Sequence, residues 1–175
     1  MTDNTKNVAL VLQAADGEII GRIRFQKIFY LLEQLGMQSD ISFSYHHYGP
    51  YSEELSIAIE RASLPGGPIK EEKKSISDNY YSVYSSVRSK NSRSDNVGGL
   101  PWKKVCEYVQ IMKAESSMVL EIAATVHWLQ TKENVKDWKT ELKNRKGSKA
   151  EDSRIEKALS LLGRLGIKES INVGA

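Results

Sequence analysis

Cysteine is almost missing: Cys106 is the one thiol in 175 residues. An internal disulfide is excluded, and so is a cysteine-based zinc cluster. Long apolar runs are missing too. None approaches the roughly 20 residues that cross a bilayer as a helix, and the opening MTDNTKNVALVLQAADGE carries acids and no secretory cleavage pattern, so a cytoplasmic protein with no membrane partner is expected. The P-loop spacing, the G-x-S-x-G elbow and the dinucleotide fingerprint do not occur, and GGLPW at Gly98 to Trp102 lacks the strand, helix and spacing that such a loop needs. Charge of one sign is in small excess. The net of +3 is too little to indicate nucleic-acid binding by amount, so its distribution decides.

What is present is an ordinary globular mixture, 40% hydrophobic and 27% charged, far from the composition of a disordered chain. Lys6 to Ala15 has the apolar density of a short helix closed by Gly17. In GRIRFQKIFYLLEQLG, Phe25, Ile28, Phe29, Leu32 and Leu35 recur at steps of three and four, which puts them on one helix face with Lys27, Tyr30 and Gln34 near the other. Ile41 to His47 alternates like a short strand before a Gly49-Pro50 turn, and Ser52 with Glu53 and Glu54 signals a helix to about Ala62. Ile69 to Ile76 and Tyr80 to Val87 flank Ser77-Asp78-Asn79 as a hairpin.

The polar stretch SVRSKNSRSDNVGG reads as a mobile loop between halves. Beyond it, helices are expected from Pro101 to about Ala114, from Met118 to Leu129 as a central pillar apolar almost all round, and from Val135 to Lys146 behind an Asn134 cap. A last helix follows a Ser148/Glu151 capping box and ends at Gly166. The class is mainly α (α+β): a winged-helix-like N-terminal half with a β-hairpin over 1–90, a loop over 91–99 and a C-terminal helical bundle over 100–175, packed as one compact unit.

Gly21, Arg22, Phe25, Gln26 and Lys27 form a G-R-x-x-hydrophobic-Q-K start to the second helix, and Tyr48, Gly49, Pro50, Ser52 and Glu53 form a Tyr-Gly-Pro-hydroxyl/acid junction. Together with LEIAATVHWL at Leu120 to Leu129 and two capped helices after it, they make the chain resemble the YwgA-like bacterial and archaeal proteins, and more distantly the Panacea group that includes SocA-type antitoxins. It departs from that pattern at Leu64-Pro65-Gly66-Gly67-Pro68. The resemblance implies a small non-catalytic regulatory or antitoxin-like protein without a cofactor.

The residues themselves name no reaction. His46 and His47 are neighbours in an extended segment, where side chains point to opposite faces, so they do not share a metal; no metal site is expected. His127 in its apolar helix reads as a core or interface histidine, and Cys106 in KKVCEYVQI as a small buried hydrophobe. Glu53 and Glu54 diverge by about 100 degrees on a helix and are no catalytic pair. Tyr45, Tyr48 and Tyr51 suit core edges and interfaces alike. The expected function is binding to another protein, a toxin or regulatory partner, through Arg24, Lys27, Tyr45, His46, His47, Tyr48 and Tyr51. The alternative is a DNA-binding regulator using Arg88, Lys90 and Arg93 with a stripe of Lys136, Lys139, Lys143 and Lys146. Against major-groove docking stands the third helix, where Glu53, Glu54 and Glu60 outweigh Arg61.

Overall fold

A computed structural model describes residues 4–87 and 94–168. Two central helices carry the interior. α2 (Arg22–Gln34) is buried on all sides from Phe25 to Leu32, and α5 (Ser117–Thr131) is buried along nearly its whole length, as a pillar should be. Around them stand α1 (Asn4–Ala14), α3 (Glu53–Ala62), α4 (Trp102–Lys113), α6 (Trp138–Lys146) and α7 (Asp152–Leu165). Both halves feed one hydrophobic core, in which Val8, Phe29 and Leu55 share a cluster with Ile122 and Leu161. Among the described residues no helix is long and apolar enough to cross a membrane.

The strands are few and antiparallel. β4 (Ile69–Ile76) and β5 (Asn79–Ser86) form the expected hairpin in full register from Ile69↔Ser86 to Ile76↔Asn79. A third strand that the pattern did not announce, β1 (Glu18–Ile20), pairs with β5, giving the order β1-β5-β4. Three residues are too few to show an alternation; β1 exists because Ile19 is buried and β5 lends it an edge. Two small ribbons complete the set, β2 (Ser44–His46) with β3 (Gly49–Tyr51) and β6 (Asn96–Val97) with β7 (Leu100–Pro101).

Four expectations are corrected. The turn of the first ribbon falls at His47 and Tyr48, while Gly49 and Pro50 lie inside β3. Of the polar stretch expected to be mobile, residues 94–99 are described, with Val97 buried and Gln38 N–H donating to Gly98 O at 2.8 Å; Arg88, Lys90 and Arg93 lie outside the described residues. Asn134 takes a positive φ of 52°, and it is the Asp137 side chain that accepts from Thr140 N–H and starts α6. Ser148 sits in a 3-10 turn, so the capping box does not form and Glu151 itself occupies the N-cap of α7. By contrast Ser52 Oγ accepts from Leu55 N–H at 3.1 Å, and Gly166 ends α7 in the left-handed conformation, both as the sequence predicts.

Gly49 is where the ribbon meets the pillar. Its φ is +84°, and a Cβ there would sit 2.6 Å from Thr125 Oγ1. Gly49→Ala is therefore expected to lower stability by about 1 to 3 kcal/mol, measured by urea unfolding, with Thr125→Ala in the same chain relieving only the steric part.

Candidate functional site

The Gln26-Lys27 and Tyr48-Gly49-Pro50 motifs, separate in sequence, bond to each other in the fold. Gln26 lays its amide along the backbone of Ser52: Nε2 donates to Ser52 O at 2.9 Å while Oε1 accepts from Ser52 N–H at 3.0 Å. Next along the helix, Lys27 Nζ donates to Pro50 O at 2.5 Å. Lys27 is 1% exposed, and burial is the main reason its pKa falls to about 7, with Glu121 pulling upward and Lys146 pushing down. An amine neutral near pH 7 is nucleophilic, but this one is enclosed and spoken for by a carbonyl. Ser56 ties the junction further, accepting from Gln26 Nε2 at 3.1 Å and sharing a hydrogen bond with Tyr51 Oη at 2.7 Å.

A second clamp comes from the C-terminal half. Glu121, alone in the apolar run of α5, is buried and takes Lys146 Nζ at 2.8 Å; Lys146 in turn donates to His47 O at 3.0 Å. A buried carboxylate and ammonium are each expensive to desolvate, and here each has its partner. Lys149 reaches Glu121 at 3.5 Å and lies 4.8 Å from the centroid of the Tyr48 ring. Arg145, held by Glu133 at 2.7 Å and Glu141 at 2.6 Å, covers the face of Tyr45 at 4.6 Å. The Tyr45 hydroxyl is buried without a hydrogen bond among the described residues, and burial raises its pKa.

Behind the ribbon, Tyr30 Oη and His127 Nδ1 are 2.7 Å apart. Burial pushes the imidazole down to about 4 and the phenol above its ordinary range, so both are neutral and the hydroxyl donates. His127 is thus the core histidine its helix suggested.

The expected partner-binding residues separate into two groups. His46, His47 and Tyr48 are exposed, Tyr48 at 43%, and form an outward edge of imidazoles and phenol; His46 Nε2 lies 2.9 Å from Ser44 Oγ, its ring 5.0 Å from that of Tyr51. Tyr45 and Tyr51 are half-buried props. Lys27 is no surface residue: α2 is buried all round from Phe25 to Leu32, so the polar face assigned to Lys27 and Tyr30 does not exist there. Arg24 is committed to structure, donating to Lys113 O at 3.1 Å and Glu115 O at 2.6 Å at the end of α4. The lysine stripe loses Lys146 to the interior, while Lys136, Lys139 and Lys143 are exposed, Lys143 pairing with Asp152. Cys106 is half-buried on α4, and burial raises its thiol pKa. No three histidine, cysteine or carboxylate side chains among the described residues are grouped to hold a metal. Glu121 and Arg145 were missed, although one carboxylate in LEIAATVHWL is itself a signal that a cation must come to meet it.

No family model matches the chain. It is 30% identical over 112 residues to the uncharacterised protein YwgA of Bacillus subtilis, a match that takes in 63% of this chain and 65% of that protein. It is 28% identical over 138 residues to a DNA ADP-ribosyl glycohydrolase of Thermus aquaticus, across 73% of this chain and 35% of the relative. The chain thus spans less than two thirds of either relative, and its likeness to YwgA extends over 63% of its own length.

The buried lysine has a consequence for stability. Its folded pKa lies below the free value of 10.5, so between about 7 and 10.5 the unfolded chain holds a proton that the native state lacks. Stability then rises with pH across that window, by at most about 1.4 kcal/mol per pH unit from this group. Lys27→Met is expected to remove that part of the rise, read as the difference between urea midpoints at about pH 7 and about pH 9.5 in the two proteins.

Proposed function

We propose that the chain is a non-catalytic binding protein, antitoxin-like or adaptor-like, which offers the outer edge of the 44–51 ribbon to an acidic surface of another protein. One observation carries this reading: the Lys27 and Lys146 side-chain nitrogens, on two different helices, each donate to a ribbon carbonyl, so that His46, His47 and Tyr48 stand on a braced platform. Binding to a preorganised edge loses less conformational entropy than binding to a loose loop. The exposed chemistry fits an acidic protein face, since Lys149 flanks Tyr48 and aromatic rings with adjoining cations suit interface anchors. Around the ribbon, Gln26, Lys27, Tyr30, His127, Glu121 and Lys146 are bonded to backbone or to one another, an arrangement of scaffolding.

The second reading is a winged-helix regulator of DNA. Its support is the element order α1, β1, α2, β2, β3, α3, β4, β5 with the strand order β1-β5-β4, three helices followed by a two-stranded wing with the β2–β3 ribbon inserted before α3. Weighing against it, α3 exposes Glu53, Glu54 and Glu60 beside the single cation Arg61.

The two readings differ in salt and in sensitive residues. Under protein recognition, affinity capture from the native host followed by mass spectrometry recovers a partner at moderate salt, and Tyr48→Glu with the equally exposed His46→Glu lowers recovery by about tenfold or more while the melting temperature is kept. Under the DNA reading, short duplexes bind with an affinity that falls steeply with salt, and Lys136→Gln, Lys139→Gln and Lys143→Gln together abolish retention; unchanged retention would remove that helix from the DNA reading.

A further inference from the structure

An open groove of about 610 Å³ lies between the start of α2 and the β4–β5 hairpin. Its origin is a mismatch of strand lengths. β4 pairs with β5 from end to end, whereas β1 covers only Val83, Tyr84 and Ser85 before Gly21, at φ +95°, turns the chain into α2. Beyond the bond from Gly21 N–H to Ser82 O at 2.8 Å, Asn79, Tyr80 and Tyr81 have no strand beside them on that edge among the described residues. In an antiparallel pair backbone groups alternate in direction. Ser82 O and Ser86 N–H both bond towards the β1 side, so the N–H and C=O of Tyr80 project the same way, in line with β1 and into the groove.

The two faces of this gap differ in chemistry. Register places Ser82 opposite Lys73 and Tyr84 opposite Glu71, so Lys73, Ser82 and Tyr80 share one face, with Arg22 joining it through the Tyr84 hydroxyl at 3.3 Å. Ile20 lies opposite Val83, which puts Ile20 and Tyr81 on the other face. Among the described residues no carboxylate is in the lining itself; Glu71, on the same face, accepts from Ser82 Oγ at 2.6 Å and is thereby occupied. Lys73 is exposed and makes no ion pair among the described residues, while Arg22 shares a loose contact with Glu71 at 3.8 Å and keeps 43% of its side chain exposed. Ile20 at 50% and Tyr80 at 81% expose more apolar surface than a solvated edge needs. An unpaired edge of this kind is a template for another strand.

We propose that the groove takes an extended segment of a partner protein in which acidic and apolar residues alternate. The segment adds to β5 as a strand continuing the line of β1. Its backbone pairs with Tyr80, its carboxylates face Lys73 and Arg22, and its apolar side chains cover Ile20 and Tyr81. This surface is separate from the 44–51 ribbon and does not depend on the ribbon binding a protein.

The test is fluorescence polarisation on the full chain with a labelled peptide alternating glutamate and isoleucine, and with the same peptide carrying lysine for glutamate. The acidic peptide is expected to bind saturably and the basic one not; Lys73→Glu weakens binding by about tenfold or more. N-methylating the peptide amides on one alternate set, the set facing β5, abolishes binding, while methylating the other set does not. That comparison leaves the protein unaltered. Tyr80→Pro, which removes the one N–H needed and is tolerated at a sheet edge, abolishes binding with the melting temperature kept. The proposal is overturned by no saturable binding of the acidic peptide, by equal binding of the basic one, by binding that survives methylation of the set facing β5, or by oligothymidylate outcompeting the peptide, which would assign the groove to single-stranded nucleic acid.

Discussion

The hydrogen bond from Lys27 Nζ to Pro50 O, side by side with the Gln26 amide on Ser52, is the contact on which the rest of the N-terminal arrangement depends. A proline in a ribbon brings no N–H of its own, and its carbonyl, once buried, needs a donor that reaches in from elsewhere. α2 supplies that donor, at the cost of desolvating an ammonium group. With Pro50 and Ser52 held, β3 runs directly into the N-cap of α3, and Tyr51 reaches Ser56 one turn further on. The junction is rigid because each of its buried polar groups is used.

From the other side the pillar α5 and the end of α6 complete the support. Glu121 is tolerable inside an apolar helix only because Lys146 neutralises it, and Lys146 spends its remaining capacity on the carbonyl of His47. The ribbon is thereby joined to both halves of the chain, which explains why one core cluster runs through them without a break. Reactive-looking side chains such as the depressed Lys27 and His127 owe their shifted pKa values to this enclosure. A perturbed pKa is a pointer to function only where the group can meet a substrate.

Much of the secondary structure was legible from pattern. α3 begins and ends where Ser52, its acids and the Pro-Gly run require, and the β4–β5 hairpin matches its alternation. Misreadings came where pattern was too short or the environment overruled it. β1 offers three residues; α2 looked one-sided, yet Lys27 and Tyr30 are buried because α5 and the ribbon pack where solvent was expected. Ser148 and Glu151 have the spacing of a capping box, but the chain takes a 3-10 turn there that carries Ala150 into the core.

Of the candidate site, the sequence by itself determined that Gln26, Lys27 and the Tyr48-Gly49-Pro50 junction stand out by type and spacing, while Glu121 and Arg145 did not. Only the tertiary structure decided what each of them does. Whether a lysine is a surface cation or an internal donor depends on which carbonyl lies within about 3 Å of its nitrogen, and that carbonyl is 23 residues away along the chain for Lys27 and 99 for Lys146. Local composition holds no record of such distances, because it is core packing, summed over the whole molecule, that brings the two ends of each bond together.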